Sequence, residues 1–142
     1  MTSARKIAGD LWVCGFIGPG ALPALALQFG TLINNRPDGE EPGQPTSAEL
    51  EDAARTLGLD FVHIPIVPGQ ASDEQVAAFA KALREKPGPK LAFCRTGTPS
   101  ASLWALSNAG RNRTDDILSA AREAGYDLSA LKPRLDERAA GG

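Results

Sequence analysis

Apolar runs too short to be helices alternate along this chain with segments of helical periodicity, and short connections join them. Residues 11–15, 31–34, 61–66 and 90–93 read as strands. Residues 21–29 read as a helix, with Pro23 tolerated in its first turn and Gly30 just past its end. Thr46 with Glu49 has capping-box spacing and opens a helix that runs to Leu57 and stops at Gly58. Ser72 with Gln75 repeats that spacing and opens a helix over 73–84, with Val76, Phe79, Ala80 and Leu83 on one face. Helices are also expected over 100–108 and 115–124, the latter capped by Thr114 and ended by Gly125. Residues 126–135 read as a short docking turn, and residues 1–5 and 136–142 as frayed ends.

This alternation is the pattern of an α/β fold: a mainly parallel sheet with helices on both faces. The 142 residues suit one domain with a real core, and nothing resembling a long linker divides them. In such a sheet, ligands bind at the carboxyl ends of the strands.

Charge and composition narrow the function classes. Lys and Arg number 15 against 17 Asp and Glu, a net charge of −2, which gives no electrostatic support for nucleic-acid binding. No apolar run approaches the roughly 20 residues of a membrane span. The start carries no apolar signal-peptide stretch, so the expectation is a cytoplasmic protein whose two cysteines, Cys14 and Cys94, are reduced thiols.

The sharpest chemical feature is the segment from Lys90 to Trp104. A buried strand delivers Cys94 to its carboxyl end, the loop Arg95, Thr96, Gly97, Thr98 and Pro99 follows at once, and a helix begins near Ser100. The unpaired N–H groups and dipole of a helix N-terminus favour a thiolate and can also hold an oxyanion such as phosphate or sulfate. A nucleophile beside an anion cradle suits attack on a phosphoryl or sulfuryl group. Gly97 fits a loop that needs a positive φ. Cys14, inside a strand pattern, reads as core packing. His63, between Val62 and Ile64, reads as a hydrogen-bonded structural residue, and no His, Cys and Asp cluster has metal-ligand spacing. Arg36, in the turn-rich loop after the strand at 31–34, is a candidate to approach the crevice.

The segment resembles the signature of cysteine-dependent phosphatases. From Asp10 to about Arg134 the chain is similar to the phosphatase-like domain of the beta-lactamase-hydrolase-like family. The resemblance is carried by Leu11-Trp-Val13, by the stretch from Thr31 to Pro45, by Val62-His-Ile-Pro65, by Cys94-Arg-Thr-Gly-Thr98 with Ser100, and by Ala124-Gly-Tyr-Asp-Leu128. It implies a dual-specificity-phosphatase-like fold, no cofactor, phosphate monoesters as substrates and a phosphocysteine intermediate on Cys94. It implies that Ser100 assists release of that intermediate. It points to Asp73 as the acid in the loop where related phosphatases carry their proton donor, against a plainer role at a helix start, with Asp38, Glu40 and Glu41 as rival carboxylates.

One departure stands out. The family has Arg five positions after the nucleophile, and here that position is Pro99. Proline removes a bidentate guanidinium and one backbone N–H from the cradle. Two further readings therefore stay open. Cys94-Arg-Thr-Gly also looks like the active loop of rhodanese-type sulfurtransferases, and the loop could bind an anion or a phosphorylated partner without turnover.

Overall fold

The structure, a computed structural model, describes residues 4–141. Five strands form one sheet: β1 (Arg5–Ala8), β2 (Leu11–Cys14), β3 (Thr31–Asn34), β4 (Asp60–His63) and β5 (Lys90–Phe93). Their spatial order is β1-β2-β5-β3-β4. The pairs β2–β5, β5–β3 and β3–β4 are parallel and in continuous register, with Cys14 and Asn34 both opposite Phe93. The expected mixed α/β fold with a mainly parallel sheet is therefore the observed one.

Period-two alternation divides the strand side chains between two cores. Val13, Ile33 and Ala92 face one side, with α3 (Asp73–Glu85), α4 (Thr98–Ser107), α5 (Thr114–Glu123) and α6 (Lys132–Gly141). Cys14, Leu32, Leu91 and Phe93 face the other, with α1 (Leu22–Ala26) and α2 (Ser47–Thr56). Every residue of β3 and β5 is buried, as central parallel strands require. Both expected capping boxes form: Thr46 and Ser72 each accept the N3 backbone N–H, and the Glu49 and Gln75 side chains return the bond.

Several expectations differ. Of residues 1–5, expected to fray, Arg5 opens β1, an antiparallel edge strand closed onto β2 through Gly9 and Asp10; residues 1–3 lie outside the described residues. The strand expected over 61–66 ends at His63, because Pro65 has no N–H for a ladder. The helix expected from Ser100 starts at Thr98, and Arg113 rather than Thr114 is the N-cap of α5. The tail from Asp136 is not frayed: α6 continues to Gly141, held by fully buried Leu135 and by Arg138, whose Nε donates to the Leu106 carbonyl at 3.3 Å. Residue 142 lies outside the described residues.

Because the central strands are parallel, their carboxyl ends share one edge of the sheet. Gly15, Asn35, Ile64 and Cys94 each follow a strand there. Cys94 has the central place, since β5 lies between β2 and β3.

Candidate active site

Cys94 follows the last residue of β5, and the chain turns back through Arg95 and Thr96 into α4. Gly97 is the helix N-cap, at φ 94° and ψ −29°. Its N–H donates to Cys94 Sγ at 3.0 Å, and its carbonyl accepts the first-turn N–H of Ala101 at 3.0 Å. The sulfur is thus drawn into the curl of the loop. Cys94 is only 2 % exposed, at the floor of the turn. Pro99, also buried, occupies the first turn of α4 and contributes no N–H.

Two neighbours fix the loop. The Phe16 N–H donates to the Arg95 carbonyl at 3.2 Å, and a Cβ on Gly15 would lie 3.2 Å from that same oxygen, so glycine allows the approach. The Tyr126 ring lies over Gly97, where an added Cβ would collide with the phenol hydroxyl and come within 2.8 Å of two ring carbons. Burial raises the Tyr126 phenol above its ordinary value of 10.0, and the nearby Cys14 and Cys94 thiols reinforce the shift. Burial likewise pushes the Cys14 thiol up to about 12, with Cys94 adding to it.

Ser100 is fully buried. Its hydroxyl donates to Asn35 Oδ1 at 2.7 Å, and Asn35 Nδ2 donates to the Ile64 carbonyl at 2.9 Å. The Asn35 backbone N–H donates to the Phe93 carbonyl at 2.8 Å. Through its side chain and its backbone N–H, this one residue ties the start of α4 to the ends of β3, β4 and β5. Nothing in the sequence except its place after a buried strand points to Asn35.

Arg36 is held away from solvent. Its Nε donates to Glu40 at 2.7 Å and its Nη2 to Glu41, with 4 % of the side chain exposed. Its guanidinium carbon lies 5.2 Å from the centre of the exposed Phe16 ring, a cation–π contact. Its carbonyl lies 3.0 Å from His63 Nε2, the structural partner expected for that histidine. Arg95 points outward and lies 3.7 Å from the same Glu41 carboxylate, a loose surface pair. Asp38 accepts the Ser47 N–H at 2.8 Å, at the start of α2. The carboxylates of this loop are therefore engaged with its own cations and helix.

Asp73 lies in the first turn of α3, where the helix dipole favours a negative charge. Its Oδ1 accepts from Arg138 Nη1 at 2.7 Å and from Arg134 Nη2 at 3.4 Å. These pairs join α3 to α6. Beside the loop lies a cavity of about 150 Å³ bordered by Thr96, Thr98 and Pro99, with apolar walls that include Ile66, Pro68 and Leu131, and with Arg134 at its edge. Among the described residues, no three His, Cys, Asp or Glu side chains gather as a metal site would require, and no helix is long and apolar enough to cross a membrane.

Residues 4–111 match the family described as Beta-lactamase hydrolase-like protein, phosphatase-like domain. The chain belongs to this family. It is 35 % identical over 137 residues to the Beta-lactamase hydrolase-like protein of Agrobacterium fabrum, covering 94 % of this chain and 30 % of that protein. The Xylella fastidiosa (strain 9a5c) relative is 33 % identical over 113 residues, with 78 % and 26 % covered. The chain thus spans less than a third of the length of these relatives. Among solved structures it is similar to a candidate phosphatase from Neisseria meningitidis, with 30 % identity, a TM-score of 0.84, and 94 % and 96 % of the two chains covered. Tk-PTP in its active form shares the fold, with 18 % identity, a TM-score of 0.75, and 96 % and 95 % covered. The chain is therefore a phosphatase-like domain with a tyrosine-phosphatase-like architecture.

Proposed function

We propose that this domain hydrolyses phosphate monoesters slowly, through a phosphocysteine on Cys94, and that Pro99 limits its rate. The observation that carries this reading is the Gly97 N–H donated to Cys94 Sγ at 3.0 Å, at the mouth of a helix whose first amides have no intrahelical acceptor. In the first step the Cys94 thiolate attacks phosphorus, a sulfur–phosphorus bond forms, and the ester oxygen leaves with the bond electrons. In the second, water attacks phosphorus, the sulfur–phosphorus bond breaks, and phosphate and thiolate are released. The loop amides and the start of α4 stabilise charge on the phosphoryl oxygens.

Ser100 assists release of the intermediate, and Asn35 sets its orientation. Asp73 takes its short bond, 2.7 Å, from Arg138, so we assign it to anchoring α6 rather than to protonating the leaving group. The preferred substrates are therefore aryl phosphates, whose leaving groups need little protonation. Arg36, buried against Glu40 and Glu41, supports the loop wall.

The test is hydrolysis of p-nitrophenyl phosphate and of an alkyl phosphate by the wild type and by Cys94→Ser. The expected result is slow, vanadate-sensitive turnover of the aryl ester alone, abolished by the substitution. Turnover that survives Cys94→Ser would overturn the reading. A second reading, binding without turnover, is favoured by Pro99 itself, which offers neither guanidinium nor N–H. It predicts that the wild type binds tungstate or phosphate yet hydrolyses neither ester.

A further inference from the structure

We propose that Arg134 is a specificity residue that takes a second anionic group of the substrate, in the cavity beside the Cys94 loop; this inference rests on the phosphate-monoester reading above. Three arginines lie near the loop, and their surroundings separate them. Arg36 is buried, with Nε and Nη2 both donated to carboxylates. Arg95 lies beside Glu41, on the side of the loop that faces Arg36. Arg134 comes from α6 and borders the cavity that Thr96, Thr98 and Pro99 line.

Arg134 is also the cation with donors to spare. Asp73 Oδ1 takes its short bond, 2.7 Å, from Arg138 and sits at 3.4 Å from Arg134. That longer contact is weak, and among the described residues it is the hydrogen bond Arg134 makes. A guanidinium carries five N–H donors in a fixed fork that matches a carboxylate or phosphate. Arg138 largely neutralises Asp73, which leaves the Arg134 charge available to a ligand. The helix that carries it is fixed by buried Leu135 and by the Arg138 bond to the Leu106 carbonyl, so the guanidinium is presented from a rigid element.

The rest of the cavity selects the organic group. Ile66, Pro68, Leu106 and Leu131 give it an apolar wall, and its volume of about 150 Å³ admits one ring. The substrate class is thus a phosphate monoester whose organic part has an apolar face and carries its own negative charge, such as an aryl phosphate with a ring carboxylate.

The probes are phenyl phosphate and 4-carboxyphenyl phosphate, with affinities measured by calorimetry on Cys94→Ser, in which turnover is blocked. Arg134→Ala and Lys132→Ala are then added separately to that background. A charge-assisted pair of this kind corresponds to roughly 5- to 30-fold in affinity. We expect the carboxylated ligand to bind that much more tightly, the preference to vanish in Arg134→Ala, and phenyl phosphate to bind equally in both. The Lys132→Ala variant should keep the preference, because Lys132 is a cation of the same helix that pairs with Asp136 and does not border the cavity. Loss of preference in both variants would mean that the preference follows the charge of α6 and not Arg134, and would overturn the inference. So would a preference that survives Arg134→Ala, or none in its parent. Failure of both probes to bind the parent would instead reject the phosphate-monoester reading, and this inference with it.

Discussion

The phenol of Tyr126 occupies the space that a side chain on Gly97 would need. Two separate demands therefore fall on one residue. The backbone φ of 94° disfavours any L-residue, and the ring overhead excludes a β-carbon. The first demand costs about 1–2 kcal/mol when broken; the second adds to it. Gly97→Ala should therefore destabilise the protein by more than about 2 kcal/mol in urea unfolding. In a Tyr126→Ala background the same substitution should cost only the backbone share. An equal cost in both backgrounds would show that the ring yields and the collision is unimportant.

The Ser100–Asn35 bond links the start of α4 to the strand ends, and both residues are fully buried. Removing either partner leaves a buried polar group without its mate, at a cost of about 1–3 kcal/mol. Asn35→Ala should be the worse of the two, since it also orphans the Ile64 carbonyl. The double variant should cost less than the sum, with a coupling of about 1 kcal/mol from a double-mutant cycle in urea. Strict additivity would mean that the two side chains act independently.

These contacts mark what could be read from the residues in order. The strand at 90–93 and both capping boxes were legible because each rests on local spacing, and the Cys94 loop was legible because strand, cysteine, glycine and helix are consecutive. Tyr126 and Arg134 were not legible as neighbours of that loop, since each comes from a distant segment brought back only by tertiary packing. No apolar run announces β1, because Arg5 and Lys6 are exposed on an edge strand where only Ile7 is buried. α6 is silent for a similar reason: Leu135 is its one buried residue among those described, and arginine contacts with α3 and α4 add to its hold.

Alkaline pH should test the buried pair of thiols. The Cys14 thiol has an ordinary value of 9.0 and is pushed up to about 12 in the fold. Below pH 9 both folded and unfolded chains keep the proton, and stability is unaffected. Between pH 9 and about pH 12 the unfolded chain releases it while the folded chain holds it. Stability therefore falls as pH rises, by about 1.4 kcal/mol per pH unit for this group. Cys14→Val should flatten the profile in that window relative to wild type, as read from urea unfolding at successive pH values. Parallel wild-type and variant profiles would show that Cys14 ionises as freely in the fold as outside it.

Pro99 gives the most direct handle on the chemistry. It stands in the first turn of α4 and borders the same cavity as Arg134. Pro99→Arg supplies an N–H to the Cys94 loop and adds a guanidinium beside it. A single preorganised donor at an oxyanion site is worth about 10²–10³ in rate. Hydrolysis of p-nitrophenyl phosphate should therefore rise at least about a hundredfold in kcat/KM, and remain dependent on Cys94. The same change brings a second cation close to Arg134, so the unliganded variant should be less stable than wild type, and phosphate should raise its Tm by more than it raises that of the wild type. A gain in rate below about tenfold, in a variant that phosphate still stabilises, would mean that the missing guanidinium is not what limits turnover. The restriction would then lie with the access of the ester to a sulfur that the loop keeps almost wholly covered.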